Sequence, residues 1–275
     1  MKIVVIGGTG LIVSGVVSKL KGLGHEAIPA APNTGVNTLT GEGLADVLKG
    51  ARVVVDVSNS PSFADDAVMN FFQTSTRNLL SYGAAAGVGH HIGLSIVGAA
   101  RLPDSGYMRA KVAQCKLIKE GPIPYSIVHS AQFFEFVKRI ADEATTENTV
   151  RLPGVLFQPI AANDVIAAVS KVATSAPLNG FIEIAGPDRL RFDEFIRLRL
   201  SALNDPRKVI ADPHARYFGT ELSEDSLVPI GEVELGETRF EDWLHSSASQ
   251  APPQSQRVIA ATDAAAAAKT ASPGG

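Results

Sequence analysis

Tyr107 and Lys111 stand four residues apart, so on a helix their side chains share one face. A free phenol has a pKa of about 10 and exchanges its proton reluctantly at neutral pH. A nearby ammonium favours the phenolate. Lowering the phenol by about 3 pH units takes roughly 4 kcal/mol, which one partly desolvated charge can supply. Ser95 lies upstream, at the end of an apolar run and before a loop containing glycine and proline. Its hydroxyl can hold a substrate oxygen while the tyrosine exchanges a proton with it, as carbonyl–alcohol interconversion requires. Tyr-x-x-x-Lys alone also arises by chance, as a surface tyrosine and a solvated lysine. The order of strand, Ser95, loop, Tyr107 and Lys111 gives it weight here.

A second group lies at the start of the chain. Lys2-Ile3-Val4-Val5-Ile6 reads as a buried parallel strand, and Gly7-Gly8-Thr9-Gly10-Leu11-Ile12 turns it into a helix. Glycine there lets the backbone approach a pyrophosphate, and a helix N-terminus offers N–H groups and a positive dipole end. The same glycines would also serve a tight turn without a ligand. With a nicotinamide dinucleotide in place, a hydride could accompany the proton moved by Tyr107. The segment after the second strand reads Ala30-Ala31-Pro32-Asn33-Thr34-Gly35, with no carboxylate to repel a 2′-phosphate and no arginine to attract one. Asn33 and Thr34 can donate hydrogen bonds to that phosphate or form a polar turn, and the reading leans to NADP with NAD retained. Ser58, Asn59 and Ser60 follow the clearest strand, 52–57, where doubly wound sheets bind ligands. A capping turn is their alternative use.

These groups need a scaffold. Helical spacing runs over 11–23, with Val13, Val16, Val17 and Leu20 apolar and Gly24 as the stop. Strands are expected at 26–31, 91–97, 125–128 and 180–186, and helices at 43–48, 64–83, 107–118, 133–144, 162–173 and 193–203. Alternating strands and helices indicate an α/β fold with a parallel sheet and right-handed crossovers. A compact end is expected near Trp243-Leu244, followed by a disordered tail rich in Ala, Pro and Ser over 246–275. His90 and His91 are neighbours on a strand and point oppositely, so no metal site is expected from them. Phe133, Phe134 and Phe136 read as core or pocket wall, and Arg77, Arg197 and Arg199 as solvated helix faces. His129 reads as a strand-end residue, with a substrate-pocket role open.

Composition excludes some classes. The 275 residues carry 25 basic and 28 acidic side chains, a net charge of −3, which disfavours capture of nucleic acid. No apolar run approaches the roughly 20 residues of a membrane span. The single cysteine, Cys115, permits no intrachain disulfide and no multi-cysteine metal site, and fits a cytoplasmic location.

The glycine turn and the Ser95/Tyr107/Lys111 set together resemble the short-chain dehydrogenase superfamily, closest to its atypical NmrA-like branch. That branch shows GxxGxxG; Gly7 and Gly10 match, and Val13 stands where the third glycine belongs. A valine there is expected to push the helix outward or force repacking. The resemblance continues through residues 121–129, with His129 in place of the usual arginine, and through Ala161-Ala162-Asn163-Asp164-Val165, with Asn163 as a departure. It implies a Rossmann-type doubly wound sheet with a small C-terminal substrate-binding domain. Residues 1–130 would form the dinucleotide-binding core, and 131–245 would complete the sheet and form the smaller domain. It also implies Ser95, Tyr107 and Lys111 as the catalytic set, with Lys111 bonding the nicotinamide ribose. The cofactor would lie against Gly7, Gly8, Thr9, Gly10, Leu11, Ile12, Asn33, Thr34, Ser58, Asn59 and Ser60. The implied activity is hydride transfer on a small carbonyl or alcohol substrate. A non-enzymatic dinucleotide sensor and a nucleotide-sugar epimerase are the alternatives. Either a homo-oligomer or a regulatory protein partner is compatible with the resemblance.

Overall fold

A computed structural model describes residues 1–8 and 10–246. The tail expected over 246–275 therefore lies, but for its first residue, outside the described residues, and so does Thr9. The first half alternates as expected. The elements are β1 (Lys2–Ile6), α1 (Leu11–Gly22), β2 (Glu26–Ala30), α2 (Leu44–Leu48), β3 (Val53–Asp56), α3 (Asp65–Ala85), β4 (His90–Ile96), α4 (Gly106–Glu120) and β5 (Tyr125–Ser130). The second half contains α5 (Val137–Glu143), β6 (Thr145–Thr146), β7 (Thr149–Leu152), β8 (Leu156–Phe157), α6 (Ala162–Ala173), β9 (Gly180–Ala185) and β10 (Leu190–Arg191). It ends with α7 (Phe192–Ala202), β11 (Lys208–Ala211), β12 (Glu234–Leu235) and α8 (Phe240–His245).

The main sheet has the order β12-β9-β5-β4-β3-β1-β2, and every pairing in it is parallel. The chain leaves β1 for β2 on one side, then crosses to β3 on the other. The strand order therefore reverses between β1 and β3, the place where open α/β sheets bind ligands. β1 lies inside the sheet and is buried on both faces. Ile3 and Val5 enter one core with α1 and α6, while Val4 and Ile6 enter another with α2 and α3. That two-sided burial explains a continuous β-branched run rather than an alternating one. Pro29 is tolerated because β2 is an edge strand, where a missing N–H breaks no inner ladder.

The apolar positions of α1, Val13, Val16, Val17 and Leu20, are all buried in the core that includes α6. Val13 is 2% exposed, so the valine is absorbed by packing and α1 remains on the sheet. The close approach is made at Gly15 instead. A Cβ there would run into Ile166 Cδ1 of α6. Asp164 ties α6 to the segment before α8, accepting from Thr238 N at 3.0 Å and Thr238 Oγ1 at 3.1 Å.

The smaller region packs Phe134, Phe157, Phe192, Phe195, Phe240 and Trp243 into one aromatic core. Beside it lie a two-stranded sheet, β8 with β10, and a three-stranded sheet, β6-β7-β11. The helix expected over 133–144 begins later. Phe133 is extended and bridges to Ile160, and Phe134–Phe136 form a single 3₁₀ turn before α5. Arg199 is not on a solvated face. It is 8% exposed and stacks 4.9 Å over the Trp243 ring, because the aromatic core reaches the inner side of α7. Arg197 does reach the surface, paired with Asp193 at 2.7 Å.

Candidate functional site

The glycine turn closes β1 at the point of strand reversal. Gly7 has φ +137° and Gly8 φ +84°, conformations that L side chains rarely adopt. A Cβ on Gly7 would stand 2.8 Å from Val57 O, so glycine also lets β1 and β3 end side by side. Gly10 is the N-cap of α1 and brings no side chain to cap it, and no acidic residue stands in the first turn. A Cβ on Gly10 would meet nothing within 4 Å, so open space faces the positive end of the helix. Leu11 and Ile12 open that helix. An uncapped helix N-terminus of this kind offers free N–H groups to an anion.

Across the reversal point lies the loop after β3. Asn59 Oδ1 accepts from Ser60 N at 3.0 Å and from the Tyr107 hydroxyl at 3.1 Å. The structure thus brings together Asn59 and Tyr107, two residues singled out from distant parts of the sequence. Tyr107 enters from the first turn of α4, which Ser105 caps by accepting from Met108 N. Its ring is bordered by Phe63 at 5.2 Å, Phe72 at 6.1 Å and Phe218 at 6.1 Å. Burial among these rings pushes the phenol up to about 12, against the lowering effect of the Asn59 bond.

Phe218 reaches Tyr107 from an unusual turn. Tyr217 and Thr220 exchange backbone hydrogen bonds, and the two residues between them, Phe218 and Gly219, both have positive φ, +48° and +79°. That is the turn for which asparagine, aspartate and glycine are the ordinary choices. Tyr217 is buried, and its hydroxyl accepts from Gln132 Nε2 at 2.8 Å.

Lys111 shares the expected helical face but its ammonium serves other partners. It donates to Leu94 O at 2.8 Å and to Gln114 Oε1, and it lies 4.4 Å over the Phe72 ring. Gln114 Nε2 donates in turn to Asp56 Oδ2 at 2.9 Å. Asp56 Oδ1 accepts from Ser58 N at 3.0 Å and Ser58 Oγ at 2.6 Å. Lys111 is 4% exposed and Asp56 1%, so this is a buried polar chain joining α4 to the loop after β3. Burial lowers the ammonium's pKa, with Cys115 and Asp56 opposing. Asp56 and Gln114 were not singled out in the sequence. The signal for Asp56 was an acid at the end of the Val53-Val54-Val55 run, which must find partners once buried.

No hydrogen bond joins Ser95 to Tyr107, whose hydroxyl is bonded to Asn59. Ser95 lies on the α4 face of β4 and its Oγ accepts from Cys115 Sγ at 3.2 Å. Asn33 and Thr34 lie exposed after β2, in the 3₁₀ turn Pro32–Thr34, where Thr34 Oγ1 both accepts from Ala31 N and donates to Ala31 O at 2.9 Å. Thr34 thus makes the polar turn. Ser60 is also held locally, donating to Ser62 O at 2.7 Å. Among the described residues no cluster of three His, Cys, Asp or Glu side chains is arranged to hold a metal. No helix among them is long and apolar enough to cross a membrane.

No protein-family model matches the sequence, and no curated protein matches it. Its likeness to solved structures lies in the fold. A short-chain dehydrogenase/reductase superfamily protein from Agrobacterium tumefaciens with bound NAD superposes with a TM-score of 0.70 at 15% identity, covering 96% of this chain and 100% of that one. A nucleoside-diphosphate-sugar epimerase from Staphylococcus aureus gives 0.67 at 14% identity, covering 90% and 100%. RMD from Pseudomonas aeruginosa, complexed with NADPH, gives 0.63 at 13% identity, covering 89% and 96%. The fold is therefore the Rossmann-type α/β fold that these structures share.

Proposed function

We propose that this chain is an NAD(P)-dependent oxidoreductase of the short-chain dehydrogenase type, of the NmrA-like branch, acting on a small carbonyl or alcohol. The observation that supports the reading is the Tyr107–Asn59 hydrogen bond at 3.1 Å, which ties the phenol to the loop after β3, the strand that ends beside Gly7. Gly7, Gly8 and Gly10 would let the pyrophosphate approach, with the first turn of α1 supplying N–H donors. The dinucleotide supplies the hydride when bound. The chain's part is to hold a protonated phenol at the substrate oxygen and to wall the site with Phe63 and Phe218. Residues 131–245 would supply the substrate side, and Asn33 leaves NADP favoured over NAD because no carboxylate follows β2. The neighbours named as epimerases keep a nucleotide-sugar substrate as a variant of this reading.

One observation favours a second reading, a dinucleotide sensor without turnover. Lys111 is committed to Leu94 O, Gln114 and Phe72. A titration with NADPH and NADH, followed by intrinsic and nicotinamide fluorescence, tests both. Wild type should bind, and Gly10→Asp, which sets a carboxylate against the pyrophosphate, should abolish binding while remaining folded. Equal affinity in the two proteins removes the site assignment. Binding without NADPH oxidation across a panel of aldehydes and ketones selects the sensor.

A further inference from the structure

A cavity of about 420 Å³ opens on the flank of α4 away from the glycine turn. Its floor is a row that register creates. Ser95 on β4 pairs with His129 on β5, and His129 pairs with Glu183 on β9. Paired residues of parallel neighbours face the same side of a sheet. That side is the α4 side, because a Cβ on Gly93, two residues before Ser95, would meet Ile118 of α4. Cys115 hangs over the row from α4, its thiol on Ser95. Phe181, two residues before Glu183 and on the same face, stacks on the His129 ring with centroids 5.1 Å apart and planes 15° from parallel.

Phe181 is 55% exposed, although parallel sheets of this kind normally carry helices on both faces. None of the cations around it is held by a close carboxylate. Arg101 donates to two neutral carbonyls, Ser226 O at 3.3 Å and Val228 O at 2.6 Å. Lys119 stands 5.9 Å from the Phe181 centroid, slack beside the 4.4 Å of Lys111 over Phe72. Lys116 lies 3.9 Å from Glu120, both exposed. Two carboxylates, Glu120 and Glu183, also border the space, and Glu183 lies 4.0 Å from His129 Nδ1. Even so, His129 is pushed down to about 4, by burial first and then by Lys119 and Lys111. Burial and positive charge therefore outweigh the neighbouring carboxylate at this ring. His129 Nε2 is buried without a hydrogen-bond partner.

We propose that this cavity is a binding site for a small planar aromatic carboxylate, separate from the dinucleotide turn. The ring would lie on the free side of Phe181, and the carboxylate would meet Lys119 and Arg101. The volume falls within the range of about 300–1,000 Å³ usual for small-molecule pockets. A cation beside an aromatic platform is a common recognition pair, and the ligand's charge would complement the excess of positive charge.

The test is calorimetric titration of the full chain with 2-naphthoate, against its neutral carboxamide and the cationic 2-naphthylmethylamine. The acid should bind about 10-fold more tightly than the amide, and the amine least. Lys119→Glu and Phe181→Ala, both at exposed positions, should each weaken the acid about 5-fold or more, with unchanged circular dichroism and melting temperature. Equal affinity for acid and amide, or undiminished binding in either variant, overturns the proposal. Neither arm uses NADPH, so failure of the oxidoreductase reading would leave this result legible.

Discussion

A phenol with a pKa near 12 keeps its proton at neutral pH and is suited to giving it up only as charge develops on a substrate oxygen. On the proposed oxidoreductase reading, Tyr107 would serve as an acid in the reductive direction. Tyr107→Phe keeps the ring against Phe63 and Phe72 and removes the hydroxyl bonded to Asn59. Its kcat is expected to fall by about 10²–10⁴-fold with cofactor affinity retained, measured by steady-state NADPH oxidation on a substrate found by screening. Wild-type kcat would move the proton to another group. At this scale spacing along one helix set Tyr107 and Lys111 on one face of α4, but not the partners their polar ends find in the folded chain. The sequence was silent on the row of Ser95, His129 and Glu183, because register between strands that lie far apart in the chain is set by the whole sheet.

Elements are held together at a few close approaches. The first half was readable because its strands are buried runs and its helices are amphipathic. The two-residue strands β6, β8, β10 and β12 were not, because their pairing is imposed by neighbours rather than by local preference. The valine at position 13 was the misleading signal. The helix packs its sheet-facing side with that valine and makes its tight contact at Gly15 against α6. Gly15→Ala should destabilise the protein by about 1–3 kcal/mol despite alanine's better helix propensity, since the methyl would force the Ile166 side chain to repack. Chemical denaturation measures this. Adding Ile166→Ala should recover part of the loss, and a double variant no better than the sum of the singles would show that the contact is not the cause.

For the whole molecule, the buried His90 and His91 and the half-buried His129 are expected to shape the response to acid. His90 and His129 are pushed down to about 4, and His91, wholly enclosed, is also lowered, each chiefly by burial. The unfolded chain takes up these protons near pH 6.5, before the folded one does. Stability is therefore full above about pH 6.5 and is lost as pH falls towards 4, at about 1.4 kcal/mol per pH unit for each such group. Melting temperature recorded between pH 7.5 and 4.5 should fall with a slope that flattens in His91→Phe. An unchanged slope in that variant would place the acid sensitivity elsewhere.

The turn carrying Phe218 has a consequence for laboratory evolution. A bulky side chain at φ +48° costs on the order of 1 kcal/mol, and asparagine tolerates the same backbone. Phe218→Asn should raise the melting temperature by about 2–4 °C, readable by calorimetry, and a lower value would show that the ring's packing outweighs the turn. A library screened for heat resistance would then converge on residue 218 early, while one screened for turnover would restore the phenylalanine that covers Tyr107. The two selections, run in parallel on the same library, would diverge at this position.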